Sequence, residues 1–227
     1  MIGYYRDKLS GTRLRRCYDL APPRIRQYLV SEMGYVARHI APGDSVLELG
    51  CGYGRVLQYL SARSGAIYGV DISVSNIEYA LRFMQGYGNC HLAVMDAMRM
   101  GFADNSFEHV FCIQNGISAF HVDEKELVRE SLRVVKENGK IFFSSYSPKI
   151  WADRLCWFEL QAQEGLIGEI DLDKTRDGLI VCKDGFAATT VVPEQFRAIV
   201  KDLPVGIHIE EVDESSLFFV LTPRNTS

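Results

Sequence analysis

Three glycines on alternate positions, Gly50, Gly52 and Gly54, follow a short apolar run that carries one acid, Glu48. Side chains are missing where an extended segment must turn sharply into a helix, so a ligand can lie directly against backbone N–H groups. A second apolar run, Ala66-Ile67-Tyr68-Gly69-Val70, ends in Asp71, and a carboxylate at that place can accept hydrogen bonds from a ribose diol. A dinucleotide fingerprint needs a further glycine at position 55, where a helix closes on a pyrophosphate; this chain has Arg55. A ligand with an adenosine and no pyrophosphate suits the pattern better.

The surrounding elements follow from periodicity and punctuation. Pro22-Pro23 opens an amphipathic helix with Ile25, Leu29, Met33, Val36 and Ile40 on one face, closed by Ala41-Pro42-Gly43-Asp44. Strands are expected over 45–49, 66–71 and 90–95, from Phe107 to Ile113, and from Lys140 to Tyr146. Between them lie a helix over 54–62, one opened by a Ser75/Glu78 capping box and running to about Met84, and one from Asp123 to a left-handed stop at Asn138-Gly139. Strand and helix alternate, which favours a parallel, doubly wound sheet. A different texture begins at residue 147: a helix over 149–164 with Trp151, Leu155 and Phe158 on one face, then a hairpin over 179–192 turning at Lys183-Asp184-Gly185. A short helix after Pro193 and a hairpin of 206–212 with 217–222 close the chain.

In these motifs the chain resembles the class I S-adenosylmethionine-dependent methyltransferases, of the small-molecule, type 11-like kind. The likeness rests on the E-x-G-x-G-x-G segment with Asp71, on Met95-Asp96-Ala97, on the fourth strand, and on Leu132 to Ile141 as the family's helix-turn-strand. It covers residues 40–146 well. The resemblance implies an α/β fold: a doubly wound, mostly parallel seven-stranded Rossmann-like sheet whose last strand is antiparallel. It is decorated by an N-terminal helical segment and by a helix/hairpin insert after the fifth strand. One methyltransferase domain is expected, with a cap over 1–44, a cofactor-binding core over 45–146, a substrate-side insert over 147–192 and a closing helix and hairpin over 193–227. The implied cofactor is S-adenosyl-L-methionine, with S-adenosyl-L-homocysteine as product. Gly50, Cys51, Gly52 and Gly54 would meet its methionyl part and Glu48 its ammonium. Asp71 would hold the ribose, Ile72 would cover an adenine face, and Asp96 with Ala97 would meet the adenine amine. Gln114 and Asn115 leave the fourth strand at the ligand edge and would bind the methionyl group or the acceptor.

No catalytic residue is assigned. An activated sulfonium methyl asks chiefly for alignment and water exclusion, and a base is needed only when the acceptor holds its proton. His121 and Tyr5 are the candidates for such a base, and Tyr4, Tyr5 and Tyr18 for the mouth of the site. The six cysteines show no metal-ligand spacing and read as buried thiols of a reducing cytoplasm, so no metal is expected. No apolar run is long enough to span a bilayer, and no signal-peptide core is present, so neither membrane nor export is expected. Residues 1–40 hold eight Lys/Arg against three acids within a chain of net charge −4. That basic end keeps RNA methylation open as an alternative, although the overall acidity and the lack of an Asn-Pro-Pro-aromatic motif after the fourth strand oppose a nucleic-acid partner. A cofactor-binding sensor or partner subunit without transfer is the other alternative. A small-molecule acceptor leads; its identity and the oligomeric state are not legible.

Overall fold

The computed structural model describes Tyr4 and residues 8–224. Two helices, α1 (Thr12–Asp19) and α2 (Pro23–Ala37), lead into the alternating segment. It runs β1 (Ser45–Leu49), α3 (Arg55–Leu60), β2 (Ala66–Asp71), α4 (Val74–Phe83), β3 (Cys90–Val94), β4 (Phe107–Cys112), α5 (Gly116–Ala119), α6 (Glu124–Val134) and β5 (Val135–Tyr146). Then come α7 (Trp151–Gln163), a two-stranded hairpin of β6 (Ile180–Val181) and β7 (Ala187–Ala188), α8 (Pro193–Val200), and β8 (Val205–Val212) with β9 (Ser216–Pro223).

Seven strands form one sheet in the order β3-β2-β1-β4-β5-β9-β8. β1 to β5 pair in parallel, while β9 runs antiparallel to both β5 and β8. The expected doubly wound, mostly parallel seven-stranded fold is therefore what the chain adopts. The strand order reverses at β1/β4, where the carboxyl ends of an open sheet leave a crevice. Apolar residues on both faces of the central strands require helices on both sides. One core packs Leu47, Val110, Phe143 and Phe219 beneath α6 and α8, and the other packs Val46, Phe111, Phe142 and Phe218 beneath α2 and α3. A third core joins the N-terminal helices to the insert: Cys17, Ile25, Tyr28 and Leu29 bury themselves against Trp157, Phe158, Ile180 and Phe186.

Two sequence expectations about element ends are corrected. Helix α4 is capped by Ser73, whose hydroxyl accepts from the Asn76 amide, so the Ser75/Glu78 box does not form. Helix α6 stops at Val134, and Asn138-Gly139 lie within β5, which pairs Phe107 with Val135 and then His109 with Lys140. That register shift absorbs residues 136–139 on the β5 side, and a Cβ on Gly139 would lie 2.5 Å from the Glu108 carbonyl oxygen. Close approach to a neighbouring strand is what that glycine serves. Among the described residues no helix is long and apolar enough to cross a membrane.

Candidate functional site

The glycine turn is built from main-chain bonds. Gly50 and Cys51 both donate to the Val70 carbonyl, at 2.8 and 3.0 Å, which ties the end of β1 to β2. Gly50, Gly52 and Gly54 all take left-handed φ values, of 70°, 53° and 90°, which side chains other than glycine's rarely tolerate. Asp71 stands beside them. One of its carboxylate oxygens accepts from the Gly52 amide at 2.9 Å, and the other from Ser73 N at 2.8 Å and Asn76 Nδ2 at 3.2 Å. The acid thus clamps the glycine turn to the start of α4 while facing the crevice; burial raises its pKa, and these donors oppose the rise.

A cavity of about 380 Å³ opens at this edge. Of the expected site residues, Glu48, Gly50, Cys51, Gly52, Asp71, Ile72, Asp96, Ala97 and Gln114 line it. Two lie elsewhere. Gly54 caps α3 and packs toward Met84, and the buried Asn115 amide bonds the Thr189 carbonyl and the Ser145 hydroxyl at 2.9 Å each. Ile72 is half exposed at the mouth, and Asp96 folds one oxygen onto the Met98 amide at 2.9 Å.

Deeper in, Glu48 Oε2, Arg55 Nε and Gln114 Nε2 are buried polar atoms without a hydrogen-bond partner among the described residues. All three residues line the same cavity. Burial pushes the Glu48 carboxyl up to about 8, against the pull of the Arg55 charge. The Arg55 guanidinium donates to Gln114 Oε1 at 2.5 Å and lies 4.5 Å from the Tyr18 ring centre. A carboxyl oxygen and two donors left open in one buried place can meet the two ends of a zwitterion, since buried polar groups seek partners. Arg55 drew notice in the sequence only as a missing glycine; its first position in α3 and its length were the signals for an inward guanidinium.

The outer wall comes from the N-terminal helices and the insert. Leu14 of α1 overlies the glycine turn, so that a Cβ on Gly52 would meet its Cδ2 at 2.9 Å, and the Phe120 ring covers Gly50 in the same way at 2.5 Å. Tyr4, Tyr18, Tyr146, Trp157 and Phe158 complete an aromatic lining. The Trp157 indole N–H donates to the Cys17 carbonyl at 2.8 Å, which joins α7 to α1. His121 also lines the cavity, on left-handed backbone (φ 52°), and burial lowers its pKa so that the ring is a neutral base. Tyr5 lies outside the described residues.

The comparisons agree with this geometry. A family model described as "Methyltransferase domain" matches residues 46–139. The arsenite methyltransferase of Aquipseudomonas alcaligenes is 31% identical over 148 residues, 60% of this chain and 41% of that protein. The 2-methyl-6-phytyl-1,4-hydroquinone methyltransferase of Synechocystis is 28% identical over 56% of the chain and 42% of its own length. The chain therefore spans about two fifths of the length of these curated relatives. In fold, it matches the PH0226 protein of Pyrococcus horikoshii OT3 over 97% of this chain and 98% of that one, with a TM-score of 0.67 and 22% identity. A SAM-dependent methyltransferase from Aquifex aeolicus follows at 0.63 and 15% identity, over 91% and 96%. Residues 46–139 are thus similar to methyltransferase domains, and the chain as a whole has the fold of solved SAM-dependent methyltransferases.

Proposed function

We propose that the protein transfers a methyl group from S-adenosylmethionine to a small, largely apolar acceptor. The observation that carries this reading is the convergence of Glu48 Oε2, Arg55 Nε and Gln114 Nε2, all without partners among the described residues, beside the glycine turn. Glu48 would take the cofactor's ammonium, Arg55 and Gln114 its carboxylate, Asp71 the ribose hydroxyls, Ile72 an adenine face, and Asp96 with Ala97 the adenine amine. The cofactor supplies a methyl already activated on a sulfonium. What the chain adds is alignment and exclusion of water, by Leu14, Tyr18 and Trp157 on the outer wall. His121 could hold the acceptor's proton where the acceptor is a hydroxyl or a protonated amine.

The aromatic lining favours an apolar acceptor, and the cations near it are engaged. Arg55 is bonded to Gln114, and Arg154 donates to the Ala188 and Thr189 carbonyls. Several cations of the basic N-terminal end are likewise engaged by carbonyls and acids of the same chain. Arg13 donates to the Gly165 and Leu166 carbonyls, Arg16 pairs with Glu164, and Arg24 with Asp213. That pattern supports a small molecule over RNA as the acceptor. The unpaired cysteines suit a reducing cytoplasm. Isothermal titration with S-adenosylhomocysteine and, separately, with NAD is the test: saturable binding of the first alone is expected, and binding of NAD alone would overturn the reading.

A further inference from the structure

Glu32 lies in the middle of α2, is wholly buried, and is not part of the cavity wall. A carboxyl in such a place costs stability unless it is fully bonded, and a well-packed apolar side chain would serve the core better. One of its oxygens holds a turn and the other a strand. Oε2 accepts from the Gln114 amide at 2.6 Å, and Oε1 accepts from the Ser216 hydroxyl of β9. Ser144 of β5 accepts from the same Gln114 amide at 2.8 Å.

That amide belongs to an unusual piece of backbone. Gln114 and Asn115 are consecutive non-glycine residues with left-handed φ values of 59° and 62°, which persist only where surrounding structure over-determines them. Asn115 is held from one side by Ser145 and Thr189, and Gln114 from below by Glu32. The turn aims the Gln114 side chain into the cavity, where its carbonyl oxygen receives Arg55 and its NH2 remains open.

We infer that Glu32 is a positioning residue for the methionyl end of the cofactor, acting through the Gln114 backbone to set Gln114 and Arg55. The inference rests on the function proposed above. It goes beyond it in giving a buried residue outside the cavity control of cofactor affinity.

Titration of S-adenosylhomocysteine into wild type, Glu32→Ala, Glu32→Gln, Gln114→Ala and the Glu32→Ala/Gln114→Ala double variant tests it, with folding checked by circular dichroism. Glu32→Ala should weaken binding about tenfold, the scale of one lost charged hydrogen bond. Glu32→Gln, whose amide oxygen can still accept from Gln114, should restore affinity to within about threefold of wild type, because that hydrogen bond is kept. The double variant should bind as Gln114→Ala does, because both changes act through one side chain. Glu32→Asp replaces the alanine should that variant fail to fold, and the shorter carboxyl should weaken binding in the same way. Equal affinity in wild type and the shortened variants, or fully multiplicative losses in the double variant, overturns this inference and leaves the proposed function standing. No binding to wild type overturns both.

Discussion

Glu48 carries two demands that pull against each other. Burial in the crevice pushes its carboxyl up to about 8, while Arg55 pulls the other way. A cationic group brought to Oε2 stabilises the ionised form, so its arrival should expel the proton. Near pH 7, binding of S-adenosylhomocysteine is therefore expected to release protons. Titrations in buffers of different ionisation enthalpy would count them. Glu48→Gln should abolish the release and weaken binding about tenfold, the scale of a charge-assisted hydrogen bond. Identical enthalpies in all buffers for wild type would count against a carboxyl–ammonium contact. At this scale the sequence was legible for acids at strand ends and mute about their partners. Glu48 could be singled out as the one acid inside an apolar run, and Asp71 because it closes the next one. Asn115 could not be separated from Gln114 by pattern, since only the packed fold turns one amide toward Thr189 and leaves the other in the cavity.

Among the elements, β1 and β2 begin and end where their apolar runs do, because glycine or a polar turn bounds each one. Helix ends were harder. Ser73 and Ser75 are both capping residues by type, and the choice fell to Ser73 because Asp71 fixes the Ser73 amide and the Asn76 side chain. Asn138-Gly139 has a stop signal's composition, yet strand pairing with β4 claims it. Local propensity loses where a sheet supplies a full set of bonds. Helix α1 gave little apolar signal, since Thr12–Asp19 is mostly polar and rich in arginine. Its place is set by bonds to distant segments: Gly11 N to Asn76 Oδ1 at 2.7 Å, Arg13 to the end of α7, and Cys17 O to Trp157. Arg13→Ala removes the second of these links, its two bonds to the Gly165 and Leu166 carbonyls, without touching the cavity wall. Faster amide hydrogen exchange in α1 and faster release of S-adenosylhomocysteine are expected, with the sheet's protection unchanged; unchanged exchange in α1 would show that the arginine contributes nothing to its seating.

Taken whole, the molecule buries two carboxyls that it holds partly protonated. The Glu32 carboxyl is raised to about 7 by burial, with Ser216, Ser144 and Gln114 opposing the rise, and Glu48 is raised to about 8. Both folded values lie above the ordinary carboxyl value, so the folded state binds protons that the unfolded chain gives up. The stability they contribute is complete below the unfolded carboxyl pKa and is lost as pH climbs through 7 to 8. The melting temperature should thus fall by several degrees between pH 5.5 and 8.5, and fall less in a Glu32→Gln/Glu48→Gln double variant. A flat wild-type profile over that range would contradict the raised values. The alternation of strand and helix made the sheet legible from the chain alone. The union of the N-terminal helices with the insert into one core was not, because their contacts join segments far apart in sequence.

The sheet also has two open margins, and they are unequal. At β8 the outer positions carry His208, Glu210 and Glu211, all exposed, and charge of this kind discourages a second strand from docking. At β3 the margin is short and nearly uncharged, with Val94 standing 49% exposed at its end. Lateral strand addition between molecules, whether in an ordered pair or in a precipitate, would begin on the β3 side, and a lysine at Val94 is where solubility engineering should start.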